Sequence, residues 1–209
     1  MAFARRERLL LADLLSSVGP DAPTLCEGWK TRDLAAHLVV RERRPDAVAG
    51  LVVKPLAGRL GRVQQSYADR PYEELVELIK TGPPKLSPFA IPGADEAANT
   101  VEFYVHGEDV RRAQEGWKSR ELDDEFSEAL WKRLVTSARM TGRKSPVGLV
   151  LRRPNGQTAV ARQAAPTVTV TGEPAELLLF SMGRQEHADV RLEGAEEDVA
   201  AARSAKLGI

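Results

Sequence analysis

The stretch NTVEFYVHGEDVRR, residues 99–112, sets Glu102, His106 and Asp109 four and then three residues apart. On a helix such positions stack on one face, so a carboxylate, an imidazole and a second carboxylate project as one column. Val101, Val105 and Val110 flank that column and turn it toward an apolar interior. A polar group buried there is costly unless it has a partner, and a divalent metal ion is one partner that suits these groups. A surface Glu paired with a His on a solvated helix satisfies the same spacing.

Other residues carry chemistry upstream and beside the column. His37 lies three residues after Leu34 and beside Leu38, so it falls on or next to an apolar face. It reads either as a hydrogen-bonded core histidine or as a metal ligand. Cys26 is the single cysteine. It has no His at local spacing and reads as a small, buried or half-buried thiol. His187 sits between charged residues and receives no role.

The elements that must position these groups follow from pattern. Residues 2–18 form a first helix through Leu10, Leu11, Leu14, Leu15 and Val18, ended by Gly19-Pro20. A loop, 21–30, carries Trp29 to the start of a second helix. Thr31 is its expected N-cap and Asp33 lies in its first turn, where the helix dipole favours negative charge. Pro45 should end or kink this helix. Residues 46–70 are ambiguous: Val48–Val53 is apolar, Gly50, Gly58 and Gly61 weaken a long helix, and 61–68 suits a short one. Helices are expected at 71–80, 95–115 and 123–140, with a Pro-rich loop at 81–93 that could border a cleft. Gly107 suggests a close helix contact. Near Ser145 the period changes from helix to strand. Val147–Leu151 and Thr158–Ala161 flank Pro154-Asn155-Gly156, a strong hairpin signal. A strand at 167–171, a helix at 173–182, a strand at 190–192 and a helix at 196–206 complete the chain. The expected class is α+β, with a helical domain at 1–142 and a small α+β domain at 145–209.

Composition excludes several functions. The 209 residues include 30 Lys+Arg and 30 Asp+Glu, a balance that argues against a nucleic-acid partner. The clusters Arg41, Arg43, Arg44 and Arg111, Arg112 read as solvated helix ends. One cysteine rules out a disulfide framework and a multi-Cys zinc site. No run approaches the roughly 20 apolar residues of a membrane span, and the N-terminus does not read as a secretory signal. A cytoplasmic protein, monomeric or homodimeric, is expected.

TLCEGWKTRDLAAHL (24–38), followed by VEFYVHGEDVRR (101–112), resembles the N-terminal domain of the mycothiol-dependent maleylpyruvate isomerase family, one of the DinB-like metal-binding four-helix bundles. Trp29, Asp33 and His37 match its Trp, Asp and His around the second helix, and Glu102 and His106 match its later Glu-x-x-x-His. Residues 145–209 resemble the small C-terminal domain of the same family, which is related in fold to sterol-carrier proteins. The resemblance implies an up-down four-helix bundle and a metal held by His37, Glu102 and His106. With three protein ligands, zinc keeps a fourth position open, as in catalytic sites; iron(II) or nickel also accept such ligands. A thiol in that position would be deprotonated by the ion. Mycothiol as co-substrate, and isomerisation or S-transfer on a small electrophile, are what the resemblance implies. Asp109 would hold the non-ligating ring nitrogen of His106, unless it pairs with Arg111 or Arg112. Arg184, after a glycine at a helix end, would clamp a substrate carboxylate if the tail folds over the bundle, and is otherwise a surface Arg. The competing readings are a non-catalytic protein that holds a metal and a small ligand, and a structural one in which the same residues are core hydrogen-bond partners.

Overall fold

The computed structural model describes residues 3–44, 46, 57–85, 87–90 and 93–208. The apolar run Val48–Val53 and the break expected at Pro45 lie outside the described residues. The helices are α1 (Phe3–Val18), α2 (Thr31–Arg43), α3 (Ala57–Ala68), α4 (Tyr72–Thr81), α5 (Ala94–Arg111), α6 (Asp124–Thr141), α7 (Pro174–Ser181) and α8 (Glu196–Ser204). The strands are β1 (Gly148–Arg152), β2 (Thr158–Arg162), β3 (Thr167–Thr171) and β4 (Arg191–Glu193). The class is α+β, as the switch in period indicates. Among the described residues, no helix is long and apolar enough to cross a membrane.

The chain divides into two compact units, 1–117 and 118–209. This boundary lies earlier than the sequence pattern puts it. Helical period assigns α6 to the bundle, but α6 packs against α7 and β2. Periodicity reports which face of a helix is buried and not what buries it. Here Phe126, Leu130, Leu134 and Ala138, each at most 1% exposed, are that face.

In the first unit α1 packs along α5 and α4, and α2 packs on α3 and α4. The core holds Leu11 and Leu15 of α1, Leu34, Leu38 and Val39 of α2, Leu75 and Ile79 of α4, and Phe103 of α5. Gly19, at φ +79°, ends α1 in a conformation that costs glycine little. The N-cap of α2 is Lys30 rather than Thr31. Asp33 reaches back to accept from the Lys30 amide at 3.0 Å, and the Thr31 hydroxyl donates to the Gly19 carbonyl at 2.5 Å. Thr31 is fully buried, so its hydroxyl joins α2 to the end of α1. A Cβ on Gly107 would meet no described atom within 4 Å, so among the described residues that glycine makes no close helix contact.

Four helices of this unit meet at one buried ion pair. Arg8 of α1 makes two 2.6 Å bonds to the carboxylate of Glu42 on α2. The same guanidinium donates to the Ile79 carbonyl at the end of α4 at 3.2 Å and to Asp95 of α5 at 2.9 Å. Its plane also lies 4.4 Å from the centroid of the Phe103 ring. Asn99 donates to both Glu42 and Asp95, at 2.9 and 2.7 Å. Arg8 and Glu42 are only 4% and 3% exposed.

The second unit has a four-stranded sheet in the order β2-β1-β3-β4. The Asn-Gly turn joins β1 and β2 as an antiparallel hairpin, with Val150 opposite Val160 and Arg152 opposite Thr158. β1 and β3 are parallel, and β3 and β4 antiparallel. Asp123 caps α6, accepting from the Phe126 amide at 2.8 Å. Helix α7 is buried at every position.

Removing one partner of a buried ion pair leaves an uncompensated charge, which costs about 3–5 kcal/mol. Arg8→Met and Glu42→Leu are each expected to lower stability by about that amount. The double variant is expected to be less destabilised than the sum of the two. Denaturant unfolding followed by circular dichroism measures all three.

Candidate metal centre

Three elements bring the chemistry-bearing side chains together. α2 carries His37 on its inner face, α5 carries Glu102, His106 and Asp109 in a column, and the loop 22–30 supplies Cys26 and Trp29. The donor atoms of His37, Glu102 and His106 all lie within 4.8 Å of one another. His37 Nε2 is 3.4 Å and His106 Nε2 3.3 Å from the same oxygen, Oε1 of Glu102. Such distances are long for a strong N–H···O bond, whose usual range ends near about 3.2 Å. They do match the edge of a coordination tetrahedron, about 3.3–3.4 Å for bonds of about 2.0–2.1 Å. Two imidazoles and one carboxylate also suit zinc. The residues therefore fit a divalent ion.

Asp109 faces His106 rather than solvent. Its Oδ2 lies 2.9 Å from His106 Nδ1, and its side chain is 0% exposed. This contact places a proton on Nδ1 and leaves Nε2 toward Glu102. Arg111 and Arg112 each bond to Glu108 at 2.7 Å.

Charge in the cluster is shared unevenly. Burial pushes the Glu102 carboxyl up, but bonds from His106 and His37 and the Arg41 charge outweigh it and hold it well below the usual carboxylate range. Burial pushes the His106 imidazole down, but its bonds to Asp109, Cys26 and Glu102 outweigh that and hold it well above its usual value. His37 is held from the other side by the Trp29 ring, 5.1 Å away between centroids and tilted by 49°. Its ring meets that of His106 edge-on at 5.5 Å.

Two neighbours of the cluster escape the sequence reading. Arg41, read as part of a solvated helix end, places Nε 3.3 Å from Glu102 Oε1. It also donates to the Asn99 side chain and to the Ala98 carbonyl, and its guanidinium lies 5.0 Å from the centroid of the Phe89 ring. The signal was present: Arg41 is one turn after His37 on the same face. Cys26 places Sγ 3.2 Å from Asp109 Oδ2 and 3.8 Å from His106 Nδ1. No local spacing could announce that contact, since 80 residues separate Cys26 and His106. Arg184 belongs to the second unit, where its guanidinium donates to the Met182 carbonyl at 2.5 Å. The loop 81–93 contributes Phe89 against Arg41, while in the other stretch expected to line a pocket, 46–70, residues 47–56 lie outside the described residues.

No protein-family model and no curated protein sequence matches the chain. Solved structures do. The mycothiol-dependent maleylpyruvate isomerase superposes with a TM-score of 0.63 at 16% identity, over 91% of this chain and 90% of that one. A crystal structure of the same isomerase with one histidine changed to alanine gives the same score and coverage at 15% identity. At such low identity the match speaks to backbone architecture, and over nine-tenths of its length this chain has the fold of the mycothiol-dependent maleylpyruvate isomerase.

Proposed function

We propose that this protein is a metal-dependent enzyme that uses a low-molecular-weight thiol, mycothiol, to isomerise a small electrophile or transfer sulfur to it. The observation that carries the reading is the convergence of His37, Glu102 and His106, with imidazole nitrogens about one coordination edge from a shared carboxylate oxygen. The fold supports it, because the isomerase of the same architecture is described as mycothiol-dependent. Zinc is the ion that best suits the donor set. When bound, it supplies a Lewis acid that lowers the pKa of a thiol presented to it.

The chain's own residues do the remaining work. His37, Glu102 and His106 offer three donors. Asp109 holds the Nδ1 proton of His106, so that Nε2 is the nitrogen that would give up its proton to an ion. Arg41 and the two imidazoles orient the carboxylate of Glu102. Trp29 packs on His37 and limits its rotation. Arg184 is assigned to a carboxylate of the substrate.

Protein purified without chelators is expected to hold about one divalent ion per chain by mass spectrometry, with His106→Ala losing both metal and turnover. Asp109→Asn is expected to keep the metal but bind it roughly 10–100-fold more weakly, as loss of an outer hydrogen-bond partner does. Arg184→Gln should raise the KM for a carboxylated electrophile and leave metal content unchanged.

The functional test compares turnover with and without mycothiol on a panel of electrophiles that includes maleylpyruvate. Turnover that requires the thiol is the expected result. Equal rates with and without thiol, in protein shown to hold its ion, would instead favour a non-catalytic protein that holds a metal and a small ligand.

A further inference from the structure

We infer that Cys26 is a positioning residue whose thiol fixes the carboxylate of Asp109 in the orientation that holds His106. The inference rests on the metal reading of the site above and assigns a role to a residue that reading does not use.

The geometry is specific. Asp109 is 0% exposed, so its carboxylate is cut off from bulk solvent and needs partners within the fold. The same oxygen, Oδ2, receives Cys26 Sγ at 3.2 Å and faces His106 Nδ1 at 2.9 Å. The terminal torsion of an Asp side chain is broad and roughly two-fold, so each contact on one oxygen limits the rotation of the carboxylate. A second donor on the same oxygen narrows that rotation, and with it the direction in which the imidazole is held.

The thiol is itself held in place. The Leu25 amide donates to the Asp109 main-chain carbonyl at 3.0 Å, which ties the loop to α5 at the residue the thiol serves. The Cys26 amide donates to Thr24 Oγ1 at 3.2 Å, and the Cys26 carbonyl accepts from the Trp29 amide at 2.9 Å. One short loop therefore supports both imidazoles: Cys26 acts on His106 through Asp109 and by its own 3.8 Å contact, and Trp29 packs directly on His37.

The test separates a hydrogen-bond role from space-filling. Serine and alanine are both smaller than cysteine, but only serine retains a donor. In zinc titrations against a chelating indicator, Cys26→Ala is expected to weaken zinc binding about 10-fold, the low end of the loss for an outer hydrogen-bond partner. Cys26→Ser is expected to stay within about twofold of the parent protein, since its hydroxyl can donate to the same oxygen. In an Asp109→Ala background, Cys26→Ala should cause no further loss. A second readout needs no metal: in the zinc-free protein, the ring 15N signals of His106 should move in Cys26→Ala and not in Cys26→Ser. Parent protein that binds no zinc yet shows this 15N difference would overturn the metal reading and support the role of Cys26. Alanine and serine variants that behave alike in both measurements, with melting curves like the parent's, would overturn the role of Cys26.

Discussion

The first unit depends on one desolvated contact, the paired hydrogen bonds between Arg8 and Glu42. Hydrophobic burial brings the helices together but is non-directional and leaves their register loosely set. A bidentate guanidinium–carboxylate pair is directional. With its further bonds to Ile79 and Asp95, this pair ties α1, α2, α4 and α5 at one point. It need not add much net stability, since burying two charges is expensive. Its effect is to make other alignments of these helices worse, because any shift would strand a charge in an apolar interior.

From that point a polar chain runs toward the candidate site. Asn99 donates to Glu42 and accepts from Arg41. Arg41 reaches Glu102, which faces both His37 and His106. His106 meets Asp109, and Asp109 meets Cys26. Every link is a contact between groups that would be costly to leave unpaired. The ligand set is therefore not held by the backbone of α2 and α5 alone. Its side chains inherit their positions from the same network that sets the helices, which is the kind of support a preorganised site requires.

Parts of this were legible in the sequence, and the boundary of legibility is physical. The α5 column could be read because a helix fixes which residues share a face, so Glu102, His106 and Asp109 followed from spacing. The hairpin at Asn155-Gly156 could be read because two-residue turns demand particular residues. That His37 meets Glu102 Oε1 at 3.4 Å was reached through resemblance, because nothing local in α2 names its partner helix. Arg41 was misjudged because charged side chains are usually solvated, and its partner lies on another element. Cys26 was silent because a loop has no period that assigns its residues to a face. The place of α6 is not legible for a related reason: a helical stripe states that a helix is covered, not by what.

The position of Arg41 bears on the state of the protein before an ion arrives. In many small metal-binding domains the carboxylates and thiolates of the empty site repel or remain unsatisfied, so the fold forms only with the ion. Here Glu102 Oε1 already lies 3.3 Å from a guanidinium nitrogen and faces two imidazoles. The negative charge that would attract a metal is thus answered by a resident cation, which acts as a placeholder. The core is built from apolar helix faces and the Arg8–Glu42 contact, neither of which needs an ion to form. The bundle can therefore assemble without an ion, and an ion bound at this site would compete with a side chain of the protein for the same oxygen.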